Sequence, residues 1–225
     1  MKQLVLELGP PPQPSFDNFV VGPNAAALRA LGEGARVGVP IYLWGPPGVG
    51  KSHLLQAALR ARGGARFDAR SPLPWTADEA CAHVAVDACE ALDAERQHAA
   101  FALFVQPLAV IAAGRLPPVD LPLREDLRTR LGGGLVFQLQ PPAEPEVRAA
   151  LASEALRRGV GLPEDVVAFL LSRFERDLGS LMRWLDALDA YSLREQRAVT
   201  VPLVKRLLAE GGAPPVRDLF TDPSR

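Results

Sequence analysis

Two cysteines in 225 residues, Cys81 and Cys89, are too few to staple a fold of this size, and neither a Cys-x-x-Cys pair nor a histidine at ligand spacing accompanies them. Both read as buried, reduced thiols. An excess of charge is lacking too: 25 Lys plus Arg against 26 Asp plus Glu leave a net charge of -1, so no global attraction to polyanions or anionic membranes is expected. Any nucleic-acid contact must be local or made through a partner. The longest apolar run, residues 101–113, is broken at Gln106-Pro107 and falls short of the ~20 residues a membrane span needs. The N-terminus alternates, carries charge and runs into prolines without an apolar stretch of signal-peptide length. A cytoplasmic protein with no membrane partner is expected. What is present is ordinary globular composition, 48% hydrophobic and 23% charged, which rules out disorder as the main character of the chain. The 22 prolines and 19 glycines cluster at junctions and punctuate a fold.

Residues 1–15 form an extended tail: an alternating segment, then Gly9-Pro10-Pro11-Pro12-Gln13-Pro14, which stiffens toward polyproline. A short apolar lead-in follows, then a helix to about residue 35 with Pro23 near its first turn. Residues 39–44 read as a buried strand, followed by a glycine turn and a helix over 51–62. Residues 83–87, 108–113 and 135–139 read as further buried strands. Strands alternating with helices imply a mostly parallel sheet covered by helices. After Pro141-Pro142 apolar residues recur only at helical spacing, giving helices near 144–158, 163–174, 178–193 and 201–209. The expected organisation is a tail (1–15), an α/β nucleotide-binding part (16–141), a helical lid (142–210) and a loose C-terminal tail (211–225).

Gly45-Pro46-Pro47-Gly48-Val49-Gly50-Lys51-Ser52 matches G-x-x-x-x-G-K-[ST] at every fixed position, between a strand and a helix. Glycines let backbone N–H groups close around phosphate oxygens, and the helix N-terminus adds partial positive charge. Lys51 is expected on the β- and γ-phosphates and the Ser52 hydroxyl on Mg²⁺; His53, the next residue, completes the nucleotide-binding set. A second Mg²⁺ contact needs an acid at a neighbouring strand end, and Val84-Ala85-Val86-Asp87 supplies one. Glu90 is close in sequence, but continued strand alternation points it elsewhere. His53, His83 and His98 share no metal spacing. Trp44, Trp75 and Trp184 read as core residues, with Trp44 near the nucleotide.

Phe16-Asp17-Asn18-Phe19-Val20-Val21-Gly22-Pro23-Asn24 resembles the lead-in of the initiator DnaA and its relatives among AAA+ ATPases. Leu162-Pro163-Glu164-Asp165-Val166, Phe169-Leu170-Leu171, Leu185-Asp186-Ala187-Leu188-Asp189, Gln196-Arg197, Thr200-Val201-Pro202 and Val204-Lys205 are similar to the lid of the DnaA-related regulatory inactivators of the Hda type. The resemblance covers roughly residues 3–210 and implies an α/β AAA+ P-loop NTPase, a mostly parallel sheet flanked by helices, followed by a small all-helical lid. It implies ADP or ATP with Mg²⁺ as cofactors. It also implies an N-terminal sliding-clamp motif of the form QLxLxL, matched by Gln3-Leu4-Val5-Leu6-Glu7-Leu8, with Gln3, Leu4, Leu6 and Leu8 as contacts for the clamp, the β subunit of DNA polymerase III. The alternative for that segment is an edge strand packed on the body.

The family's trans-acting arginine maps to Arg130, so DnaA is the implied partner, and DNA is met mainly through the clamp. The chain ends about one helix beyond the lid, so direct origin recognition through a further DNA-binding domain is not expected. Three departures fall on the chain's own γ-phosphate. Ala88 replaces a second acid, Ala112-Ala113-Gly114 stands where relatives place a polar sensor, and Gly179 stands where many carry a lid arginine. Arg183, one turn on, either substitutes or is solvated. The reading is a regulator that holds its own nucleotide, ADP by preference, and activates hydrolysis in a partner, with homo-oligomers open. An ATP-driven helicase loader and a DnaA adaptor without hydrolytic effect are the alternatives.

Overall fold

Short apolar runs ending in glycine or a charged turn become strands here, and longer runs with helical spacing become the helices between them. The structure is a computed structural model that describes residues 13–77, 82–174 and 177–212. Helix α1 (Ala25–Glu33) leads to β1 (Ile41–Trp44), α2 (Lys51–Arg62), β2 (Ala65–Phe67), β3 (His83–Val86) and α3 (Ala94–Phe104). Then come β4 (Ala109–Gly114), α4 (Glu125–Gly132) and β5 (Leu135–Gln138). Helices α5 (Glu144–Arg158), α6 (Glu164–Arg173), α7 (Leu178–Glu195) and α8 (Val201–Ala209) close the described chain.

The sheet order is β2-β3-β4-β1-β5, and every neighbouring pair is parallel. Successive strand residues face opposite sides of a sheet, and the two faces sort accordingly. Tyr42, Val84, Val86, Val110 and Ala112 pack with α3 and α4 through Ala100, Leu103, Leu127 and Leu131. Ile41, Leu43, Ala85, Ile111 and Ala113 pack with α1 and α2 through Leu31, Leu54, Leu55 and Ala58. All parallel strands therefore end at one edge, the edge that carries the glycine turn after β1.

Two strand expectations need correction, and one further strand is present. β1 starts at Ile41, because Val39 is exposed and forms only an isolated bridge with Arg36. β5 is an edge strand paired with β1 alone, and its Leu135 and Val136 are exposed. β2 was not foreseen: three half-exposed residues adding a strand beside β3.

The lid helices close on a core of their own, in which Val147, Leu151, Leu170, Leu181, Leu188 and Leu203 surround Trp184. The indole lies against Phe174 with ring centroids 4.6 Å apart. Burial of such side chains contributes about 1.5–3 kcal/mol each. Helix ends are fixed locally. Asp177 Oδ1 accepts from Ser180 N at 2.9 Å to cap α7, and Glu146 Oε2 accepts from Ala143 N at 2.7 Å ahead of α5. Glu154 joins Arg157 and Arg158 on α5, and Arg158 reaches Asp186 on α7. Before α1, buried Asn24 donates from Nδ2 to Gln140 O and accepts from Gln140 N, both at 2.9 Å. The chain's way into the sheet is thus tied to its way out.

Gln3, Leu4, Leu6, Leu8, Cys81 and most of the C-terminal tail lie outside the described residues. Cys89 is buried and free, as expected, and burial pushes its thiol pKa up to about 12. Among the described residues no helix is long and apolar enough to cross a membrane.

Candidate phosphate-binding site

The turn after β1 is built as a cradle. Gly45, Gly48 and Gly50 all take positive φ, and the first intrahelical bond of α2 runs from Leu54 N to Gly50 O at 3.0 Å. The amides of Lys51, Ser52 and His53 therefore precede the helical ladder and open past the helix N-terminus. Glycine is required at two points for space as well as backbone. At Gly48 (φ +75) a Cβ would lie 2.5 Å from Asp177 Cβ, and at Gly50 (φ +97) 2.7 Å from the Phe19 ring. The loop is therefore sandwiched between the lid, at the cap of α7, and the lead-in segment.

Lys51 Nζ donates to Gly45 O and Pro46 O, each at 2.7 Å, which arches the ammonium over the loop. Partial burial lowers its pKa, the carboxylates of Glu90 and Asp87 oppose that shift, and Arg115 adds to it. Ser52 is exposed at the helix start. The His53 side chain is engaged elsewhere: Nε2 meets Ser15 O at 2.9 Å, and its ring lies 5.7 Å from Phe19. What His53 offers the loop is its backbone amide.

Asp87 is buried at the end of β3, as the strand pattern required. Its carboxylate is already held. Oδ2 pairs with Arg66 at 2.7 Å, and Oδ1 accepts from Ala88 N at 2.9 Å. Arg66 is the residue that sequence reasoning missed, because its strand has no apolar run; Asp87 N donating to Phe67 O at 2.8 Å extends the β2–β3 pairing and brings it there. Ser52 and Asp87 present hard oxygen donors of the kind Mg²⁺ takes. No group of three or more His, Cys, Asp or Glu gathers among the described residues, so phosphate oxygens and water would supply most of an Mg²⁺ shell.

Glu90 does not point away. The chain leaves extended geometry after Asp87: Ala88 takes φ 50 and ψ 52, and a 3-10 turn, Cys89–Ala91, follows. Strand alternation no longer applies, and Glu90 returns to the end of β4. There its Oε2 accepts from Arg115 N at 3.1 Å, and its Oε1 pairs with Arg115 Nε at 3.2 Å. In the lid, Arg183 donates to Ser180 Oγ at 2.8 Å from an exposed position.

Arg130 lies apart from all of this. It is exposed in the last turn of α4, its guanidinium 5.2 Å from the Phe101 ring centroid, with Nη1 3.4 Å from Phe104 O. Arg124 reaches the same ring at 5.5 Å, and the two arginines line an open cavity of about 690 Å³ with Phe101, Glu125, Asp126 and Thr129. The cavity follows α4 from its first turn, with Arg124, Glu125 and Asp126, to its last, where Arg130 sits near the start of β5. The glycine loop leaves the opposite edge of the sheet, about 20 Å away along a six-residue strand such as β4.

Fold and site together define the class: an AAA+ P-loop module, with a five-stranded parallel sheet flanked by helices and a small helical lid after it. Domain III of the replication initiation protein DnaA from Thermotoga maritima matches with a TM-score of 0.69 at 21% identity, covering 89% of this chain and 97% of that one. AMPPCP-bound DnaA from Aquifex aeolicus matches at 0.57 and 20% identity, over 81% of this chain and 68% of that one. A RuvB variant from Thermotoga maritima matches at 0.62 and 16%, over 87% and 71%. At these identities the likeness is one of fold. The family model of the Hda lid domain matches residues 144–208. Residues 144–208 thus match the Hda lid family, and the chain as a whole shares the fold of DnaA domain III.

Proposed function

We propose that this DnaA-related replication regulator holds its own nucleotide, ADP in preference to ATP, and promotes hydrolysis of the ATP on a neighbouring DnaA molecule. Arg130 is the trans-acting group. Gln3, Leu4, Leu6 and Leu8 bind the sliding clamp, which brings the regulator to DNA that is being replicated, so that initiation is turned down once replication is under way.

One observation carries the reading. Arg130 is exposed and backed by an aromatic ring, at the sheet edge opposite its own P-loop. An arginine so placed is out of reach of its own nucleotide and open to another protein's. A guanidinium delivered to a γ-phosphate stabilises charge spreading over the phosphoryl oxygens, an effect of about 10³-fold or more. On the chain's own nucleotide, the loop amides and Lys51 bind the phosphates, and Ser52 and Asp87 would hold the Mg²⁺ that neutralises their charge. The clamp contact alone is of micromolar order, because ordering a free tail offsets much of the gain from burying three leucines. Tethering to a ring on DNA raises the effective concentration near DnaA and makes a weak contact sufficient.

The test is single-turnover hydrolysis of ATP preloaded on DnaA of the same organism, with clamp-loaded DNA and this chain. Arg130→Ala is expected to remove at least about 10²-fold of the stimulation while clamp binding by calorimetry persists. Gln3→Ala with Leu4→Ala is expected to abolish clamp binding. Full stimulation by Arg130→Ala overturns the role of the arginine. Fast turnover by the chain alone, lost in Lys51→Ala, would establish a helicase-loader-type ATPase instead. A DnaA complex without stimulation would make the chain an adaptor.

A further inference from the structure

The C-terminal edge of the sheet holds a charged pair that the reading above does not use. β4 lies between β1 and β3, and Trp44 pairs with Gly114. Gly45 and Arg115 therefore leave neighbouring strands at the same level, and Arg115 emerges beside the first residue of the P-loop, whose carbonyl holds Lys51 Nζ. From the β3 side Glu90 grips Arg115 twice, at its backbone N–H and at Nε. The two partners differ in freedom: the Glu90 side chain is 20% exposed and that of Arg115 is 65% exposed. The carboxylate is the fixed end of the pair and the guanidinium the movable one. Among the described residues its two Nη groups have no hydrogen-bond partner. Lys51 senses both charges, Glu90 raising its pKa and Arg115 lowering it, so all three groups share one electrostatic neighbourhood.

We propose that Arg115, latched by Glu90, is the group through which this chain distinguishes a nucleoside triphosphate from a diphosphate on its P-loop. The proposal rests on the P-loop holding a nucleotide, as read above. A third phosphate adds negative charge at this edge and competes with Glu90 for the guanidinium; a diphosphate leaves the latch closed. An ion pair with one exposed partner is weak, whereas a guanidinium forking onto phosphate oxygens is among the stronger polar contacts. The exchange offers the triphosphate a contact that the closed latch withholds, so how firmly Glu90 holds on sets how far the preference for ADP extends. Sensing is moved one residue along from Ala112-Ala113-Gly114, where no side chain can perform it, and regulated by an acid two residues beyond the vacant position 88.

Equilibrium titration of the full chain with ADP and with AMPPCP, read by displacement of a fluorescent ADP, tests this. Arg115→Ala is expected to lower the AMPPCP-to-ADP affinity ratio by about 5- to 20-fold. Glu90→Gln frees the guanidinium and is expected to raise that ratio by about 2- to 5-fold. A purely structural pair would shift both variants in one direction and leave the ratio alone. Nucleotide binding with an unchanged ratio in both variants overturns the proposal. If the unaltered chain binds neither nucleotide, the P-loop reading itself falls, and the proposal with it.

Discussion

Gly48 faces the cap of α7 in the lid, and replacing it with alanine measures that contact. At φ +75 the new side chain meets Asp177, with Cβ 2.5 Å from Cβ and 3.0 Å from Cγ, against about 3.5–4.0 Å for carbon atoms in ordinary contact. Rotation about χ1 cannot relieve a clash that begins at Cβ. Alanine in left-handed backbone costs about 1–2 kcal/mol. Displacing Asp177, which caps α7 through Ser180 N, adds about 1–3 kcal/mol. Gly63 supplies the control, because its φ of +76 matches and nothing lies within 4 Å of its Cβ position. In urea unfolding followed by circular dichroism, Gly63→Ala should lose about 1–2 kcal/mol and Gly48→Ala about 2–5 kcal/mol. Adding Asp177→Gly to Gly48→Ala should recover about 1 kcal/mol, since glycine is an acceptable N-cap and removes the colliding atom. Equal losses at the two glycines, with no recovery in the double variant, would refute a lid resting on the phosphate loop.

The lid offers a pH test. Hydrogen bonds from Arg157 and Arg158 hold Glu154 at about 2, below its ordinary 4.5. A lowered carboxylate pKa contributes stability above the ordinary value, and that contribution is lost as pH falls toward the folded one. Glu154→Gln should therefore cost about 1–2 kcal/mol at pH 7, allowing for the solvent exposure of Arg157, and the gap in Tm to the unaltered chain should narrow stepwise between pH 4.5 and 2. The sheet offers a coupling test. Tyr42 donates to Leu116 O at 2.7 Å, and a Cβ at Gly114 would fall on its hydroxyl oxygen. Gly114→Ala should cost about 1–3 kcal/mol and Tyr42→Phe about 1 kcal/mol. Because Phe removes the colliding oxygen, the double variant should lose less than the sum, and strict additivity in thermal melts would contradict the packing described.

Where burial and periodicity agree, the fold was legible before any coordinates. β1, β3 and β4 are short, apolar but for His83 at the start of β3, and punctuated by glycine or aspartate, and α5 and α8 carry their stripes between clear stops. β2 was not, because an edge strand of Ala-Arg-Phe is set by backbone pairing to β3 and leaves no hydrophobic signature. β5 has the composition of a buried strand, yet its outer position follows from topology, which composition does not encode. At the site, the glycine loop and Asp87 could be found by spacing. Their partners could not: Arg66 comes from the missed strand, and Glu90 turns back because Ala88 adopts a conformation uncommon for alanine. Side chains that complete a site from a neighbouring strand become visible only once the strand order is known.

The two hydrogen bonds between Asn24 and Gln140 have a mechanical meaning. They join positions 116 residues apart, so tension between the segment before Asn24 and the helices after Gln140 passes across this pair without running through the sheet. The two bonds lie in parallel and share the load until both give way together. All five strands hang outside that path, while Phe19 against Gly50 and Ser15 against His53 carry part of the load to the glycine cradle.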